Sequence, residues 1–168
     1  MKVLVTGHRG FIGTVMIPIL LKEGFDVVGL DTDLYRYCTY GDDPISIPNI
    51  NKDVRDVAPD DLRGFDAVVH LAALSNDPLG NINPALTYDI NHLASVRIAE
   101  IARQVGVKRF LFASSCSMYG KAGDDILDET ANFNPVTPYA KSKVYVERDV
   151  APMASDSFSP VFLRNATA

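Results

Sequence analysis

Tyr139 and Lys143 stand four residues apart in a segment, Pro138 to about Val150, whose pattern predicts a helix. Both side chains therefore point to one face. A free tyrosine titrates near about 10 and holds little phenolate at neutral pH. A neighbouring ammonium favours the phenolate, and bringing the phenol towards about 7 takes roughly 4 kcal/mol of differential stabilisation. A tyrosine so tuned is a general base, able to remove a hydroxyl proton while a hydride leaves the same carbon. The spacing alone recurs by chance in many helices. Here it follows a predicted strand, Arg109 to Ser114, whose end Phe112-Ala113-Ser114-Ser115 offers hydroxyls where a substrate oxygen would be held.

Hydride chemistry needs an acceptor, and the N-terminus supplies a place for one. A first strand, Lys2 to Thr6, runs directly into Gly7-His8-Arg9-Gly10-Phe11-Ile12-Gly13, and a helix from Phe11 to Glu23 follows. Glycines there allow a tight turn, close backbone approach to a pyrophosphate, and close packing of helix on strand. The helix N-terminus adds unpaired N–H groups and partial positive charge. The spacing is G-x-x-G-x-x-G, and its position between strand and helix identifies a dinucleotide cradle. Asp31 closes the second strand, Asp26 to Leu30, where a carboxylate can accept from both ribose hydroxyls of an adenosine and repels a 2′-phosphate. NAD is favoured over NADP, with Arg9 as the counter-indication, since a nearby guanidinium could bind a 2′-phosphate.

The elements that must position these groups alternate in type. Short strands are expected at Ile50 to Asp53, Ala67 to Leu71 and from Pro160 to Arg164. Helices are expected weakly at Pro59 to Arg63 and strongly from Asn83 to Val105, with Asn83-Pro84 opening the latter and Gly106 closing it. Pro18 should bend the first helix or leave a carbonyl unpaired. Asp31 to Pro48 reads as irregular, with Tyr35, Tyr37 and Tyr40 interleaved. Alternation of this kind specifies an α/β fold with a doubly wound parallel sheet. At 168 residues the chain is one domain's worth. A net charge of −5 argues against a general nucleic-acid or anionic-membrane binder. Cys38 and Cys116 imply neither a disulfide framework nor a metal site, and no segment resembles a signal peptide or a membrane span. A cytoplasmic protein is the expectation.

Taken in order, Gly7-x-x-Gly10-x-x-Gly13, Asp31, Asp53-Val54-Arg55-Asp56, His70-Leu71-Ala72-Ala73, Asn91, Ser114-Ser115 and Tyr139-Ala140-Lys141-Ser142-Lys143 resemble the extended short-chain dehydrogenase/reductase superfamily. Within it they are most similar to the NAD-dependent epimerase/dehydratase family, over essentially the whole chain. The resemblance implies a Rossmann fold with Gly7, Gly10, Phe11, Ile12, Gly13 and Asp31 on the cofactor, and Asp53 and Val54 beside its adenine. It places Leu71, Ala72 and Ala73 in a loop over the cofactor, Asn91 as organiser of the nearby backbone, and Ser114 on the cofactor side. Ser115, Tyr139 and Lys143 become the catalytic set, the last two also touching cofactor. His8, His70 and His92 share no ligand spacing and read as structural or surface residues.

The departures narrow the reaction. Nucleotide-sugar 4,6-dehydratases carry an Asp-Glu pair directly after the catalytic Ser/Thr, and this chain has Cys116-Ser117 instead. Hydride removal to a keto-sugar intermediate and return to the other face then remains: epimerisation of a nucleotide sugar. Substrate contacts are expected from Ser115, from the polar loop Ser75-Asn76-Asp77 through Ser75 and Asn76, and from Asn165 or Thr167, which lie near a family asparagine. The alternatives are a net NAD-dependent oxidoreductase using the same residues, or a cofactor-binding module without turnover. The ending at Ala168, on a strand, leads to the expectation of a truncated NAD-binding domain, 1–168, with the substrate domain largely absent. Family members often dimerise through helices corresponding to Asn83–Val105 and Pro138–Val150, so a homodimer is expected.

Overall fold

The computed structural model describes residues 1–38, 44–121 and 127–166. Six strands are described: β1 (Lys2–Thr6), β2 (Asp26–Asp31), β3 (Asn49–Asn51), β4 (Ala67–His70), β5 (Arg109–Ser115) and β6 (Ser159–Asn165). They form one all-parallel sheet in the order β3-β2-β1-β4-β5-β6. This is the Rossmann order, with the switch in the direction of winding between β1 and β4.

Helices cover both faces, which is why the central strands are apolar on both sides. In β1, Val3 and Val5 pack with Ile17 of α1 (Phe11–Lys22) on one face, together with Val27 and Val69. Leu4 points the other way, into the larger core. There it joins Leu30, Val68, Phe110 and Phe112 with α2 (Pro59–Leu62) and the two longer helices that carry Ile98 and Val146. Pro18 does not interrupt α1. Lacking an N–H, it leaves the Thr14 carbonyl without its usual helical donor.

The expected helix from Asn83 to Val105 is a single rod with a change of register inside it. The predicted polar loop at Ser75-Asn76-Asp77 is not a loop: it opens α3 (Asp77–Ile82), which Asn76 caps by accepting from the Leu79 N–H at 2.9 Å. Six residues with Pro and Gly inside give no readable helical period. This helix is held from outside, by the Thr87 hydroxyl on the Gly80 carbonyl and by Asp77 on Thr137. Asn83 then caps α4 (Pro84–Tyr88) by accepting from the Leu86 N–H at 3.1 Å. A π segment, Asp89–Leu93, leads into α5 (Ala94–Gln104).

The last helix, α6 (Pro138–Val150), carries Tyr139 and Lys143 and packs under β5. Thr137 caps it, accepting from the Ala140 N–H at 3.1 Å. No described helix is long and apolar enough to cross a membrane.

Candidate active site

Parallel strands deliver all their C-terminal ends to one edge, so the residues after β1, β2, β4, β5 and β6 share a crevice. At its centre Gly7 has φ +70, and a Cβ there would lie 2.7 Å from the Ala72 nitrogen. The glycine turn and the loop after β4 are thus in backbone contact. A Cβ on Gly13 would run into the backbone of His8. Gly13→Ala is therefore expected to push α1 off the turn and weaken dinucleotide binding at least about tenfold, with a stability loss of about 1–3 kcal/mol from the overpacking. Calorimetric titration with NAD and a thermal melt check both.

These residues fit a dinucleotide. Gly10 begins α1 with no side-chain cap, and the first turn holds no acidic residue, so its N–H groups face outward without a protein anion. Phe11 and Ile12 lie exposed beside them. Asp31 is fixed by two backbone donors, Arg9 N–H to Oδ2 at 3.1 Å and Asp33 N–H to Oδ1 at 2.9 Å. The Arg9 guanidinium, which the sequence offers as a partner for a 2′-phosphate, sits 3.6 Å from the Asp33 carboxylate. His8 is buried with its Nδ1 unpartnered and 4.0 Å from Asp31; burial above all lowers its pKa.

Two expected cofactor contacts are engaged elsewhere through their side chains. Asp53 leaves the strand early and caps a 3₁₀ turn, Val54–Asp56. Its carboxylate takes the Arg55 N–H and guanidinium at 2.8–3.0 Å, and that pairing holds it below the usual carboxylate range. Val54 is buried in the core. Ser114, placed on the cofactor side by resemblance, turns the other way and donates to Glu147 Oε1 on α6 at 2.6 Å. Strand alternation is the reason: Ser114 shares a face with Phe112, which packs toward α6.

Asn91 is buried. Its side-chain amide accepts from the Leu74 N–H at 2.8 Å and donates to the Leu74 carbonyl at 3.0 Å. It thereby holds the backbone of Leu74, the residue that follows Leu71, Ala72 and Ala73.

The reactive groups do converge. Tyr139 is half-buried, with Ser115, Cys116 and Asp77 acting on its phenol, and Lys143 Nζ lies 5.4 Å from its ring centroid. Burial pushes the phenol above its ordinary value. Asp77 and Cys116 add to that, while the Ser115 hydroxyl opposes it. The protein groups alone thus do not produce the lowered phenol that the Tyr139–Lys143 spacing suggests. Lys143 itself is buried, its Nζ donates to the Ala113 carbonyl at 2.7 Å, and desolvation brings it down to about 7.

Ser115 ends β5 and accepts from Ser117, from its N–H at 3.2 Å and its hydroxyl at 2.9 Å. The β5–β6 register sets Asn165 directly beside Ser115. Of the other substrate candidates, Ser75 is exposed, Asn76 is occupied as a helix cap, and Thr167 lies outside the described residues. A cavity of about 340 Å³ opens beside Cys116, lined also by Tyr119, Glu129 and Arg164.

Sequence reading missed the clamp that joins these pieces. Arg164 of β6 pairs with the buried Glu147 of α6 at 2.7 Å and donates to the Tyr119 hydroxyl and the Glu129 carbonyl, both at 2.8 Å. Its signal in the sequence is an arginine directly after the apolar run Pro160–Leu163.

The model of the NAD dependent epimerase/dehydratase family matches residues 3–168. A UDP-glucose 4-epimerase of Lactobacillus helveticus is 34% identical over 155 residues, 90% of this chain and 46% of that protein. MoeE5 in complex with UDP-glucuronic acid and NAD superposes with a TM-score of 0.85 at 33% identity, covering 98% of this chain and 54% of that one. A UDP-glucose 4-epimerase of Thermus thermophilus in complex with NAD gives 0.84 at 30% identity, covering 98% and 54%. The chain spans about half the length of the curated relatives it matches. It belongs to the NAD dependent epimerase/dehydratase family, whose cofactor is NAD.

Proposed function

We propose that the protein is an NAD-dependent nucleotide-sugar epimerase acting on a UDP-hexose. The observation that carries this reading is the gathering of Ser115, Tyr139 and Lys143 at the mouth of the cofactor crevice, with Cys116 and Ser117 where water elimination would need carboxylates. Asp77, the carboxylate acting on Tyr139, is engaged by the Thr137 hydroxyl at 2.6 Å. The relatives named as UDP-glucose 4-epimerases, and the neighbour that holds UDP-glucuronic acid with NAD, support the substrate class.

When bound, NAD would supply the hydride acceptor and the positive charge that favours the Tyr139 phenolate. The Ser115 hydroxyl holds the reacting sugar oxygen, and the Tyr139 phenolate takes its proton. Lys143 keeps a cation within reach of that phenolate. Asn165, beside Ser115, faces the same substrate edge. The helices α4 to α6, with exposed Leu86 and Leu93 and the Tyr88–Tyr145 stack, are the surface for a second copy.

The test is a panel of UDP-sugars incubated with the full-length protein and followed by proton NMR. Interconversion of UDP-glucose and UDP-galactose without net NADH is the expected result. Stoichiometric NADH would mark a net oxidoreductase. Absence of any sugar interconversion in protein with NAD bound would remove the epimerase reading.

A further inference from the structure

His70 ends β4 in the middle of the sheet, 1% exposed, with the rings of Phe110 and Phe112 each 5.9 Å away by centroid. Thr6 Oγ1 lies 2.6 Å from its Nδ1 and Ser95 Oγ 2.8 Å from its Nε2. The direction of each bond follows from the remaining partners. The single Ser95 proton goes to the Asn91 carbonyl at 2.8 Å, so towards His70 this hydroxyl can only accept. Nε2 therefore carries the hydrogen. A neutral ring then presents a lone pair at Nδ1, and Thr6 donates to it. The Thr6 oxygen in turn accepts the Ala72 N–H at 3.3 Å.

A protonated ring would leave the Thr6 hydroxyl hydrogen without an acceptor. Burial and the nearby Lys143 charge oppose it as well, and together they hold His70 down to about 3. The groups acting on the ring are thus Thr6, Ser95 and Lys143, with Phe110 and Phe112 on its flanks.

The chain of bonds closes on the cofactor loop. It begins at Ala72 N–H, runs through Thr6, His70 and Ser95 to the Asn91 carbonyl, and returns through the Asn91 side-chain amide to Leu74. Asn91 sits at the centre of the π segment, where the helix is out of α register, a feature often tied to functional sites. The loop it suspends is the one in backbone contact with Gly7.

We infer that His70, locked as the neutral Nε2–H tautomer, is a positioning residue for NAD. It ties the placement of Ser95 and Asn91 on the helix to Ala72 on the loop, and so fixes the loop against the glycine turn. This rests on the assignment of that turn as the NAD site.

The test combines a spectroscopic signature with binding. Nitrogen-15 NMR of the imidazoles in the full-length protein should show one histidine as the neutral Nε2–H tautomer, unchanged between about pH 5 and pH 9. Thr6→Val and Ser95→Ala should each weaken NAD binding by about tenfold and speed amide exchange at Ala72 and Leu74. Val150→Ala, a core truncation in α6, serves as the control: it should lower the melting temperature while leaving NAD affinity and Ala72 exchange unchanged. A titrating or Nδ1–H imidazole at position 70 would overturn the inference. So would NAD affinity in Thr6→Val and Ser95→Ala equal to that of Val150→Ala. Failure of the wild type to bind NAD would instead strike the site assignment itself. Should Thr6→Val not fold, the tautomer measurement and Ser95→Ala still decide.

Discussion

Lys143→Met is expected to leave the full-length protein with at least about 100-fold less turnover, and yet to raise its melting temperature below pH 7. The loss of activity follows from removing the cation beside Tyr139. The gain in stability follows from where that cation sits. Lys143 is 3% exposed, its Nζ donates to one carbonyl, and its other contacts are the faces of Phe112 at 4.6 Å and Tyr139 at 5.4 Å. Burial brings its pKa down to about 7 from 10.5. Keeping the ammonium in this site rather than in water thus costs about 5 kcal/mol.

The pH dependence has a definite sign. Between about 7 and 10.5 the unfolded chain binds more protons at this residue than the folded one does. Wild-type stability therefore climbs with pH across that window, and the cost of the charge is present in full below it. Methionine keeps the long apolar stem against Phe112 and carries no charge, at the expense of one bond to Ala113 and the cation's contacts with the two rings. A net gain of about 2 kcal/mol, or roughly 4–8 °C, is expected at pH 6 and should shrink steadily towards pH 10. Scanning calorimetry at pH 6 and pH 9 measures it. A melting temperature below wild type at pH 6 would mean that the site solvates the ammonium better than its contacts indicate.

What is readable in the sequence, and what is not, divides along physical lines. The glycine turn, Asp31 and the Tyr139–Lys143 pair are short-range patterns: each depends on spacing within one strand, one turn or one helix. Strands β1, β2, β4 and β5 are legible for the same reason, since burial on both faces writes itself as an apolar run. The features that escape involve partners outside the local pattern. Ser114 reads as a cofactor-side hydroxyl because Glu147, which takes its hydrogen from beneath, lies 33 residues on. The third strand ends before Asp53 because that carboxylate prefers to cap its own turn and hold Arg55. Helix α3 has no period of its own and depends on contacts from Thr87 and Thr137. His70 reads as structural from lack of ligand spacing, and only the direction of its bonds reveals what it holds in place.

Arg164→Met is the second substitution with a large expected effect, and its sign is opposite to that at Lys143. The Glu147 carboxylate is 7% exposed, and the Arg164 guanidinium opposite it 18%. The two share contacts of 2.7–3.2 Å, and the pairing raises the arginine above its already high value. Removing Arg164 leaves the carboxylate with the Ser114 hydroxyl alone. Breaking one side of a buried pair in this way costs about 3–5 kcal/mol. For a chain of this size that corresponds to a fall of roughly 10 °C in melting temperature. Adding Glu147→Leu to Arg164→Met removes the stranded charge, and the double variant should recover most of that loss.

Activity should not return with stability. Arg164 also holds the Tyr119 hydroxyl and the Glu129 carbonyl, and so ties the turn that follows Ser115 to β6. A stable double variant with turnover still reduced at least about tenfold would separate the two roles of this clamp. Full recovery of both would reduce it to a structural ion pair. No recovery of either would mean that Glu147 packs against its neighbours in a way leucine cannot reproduce.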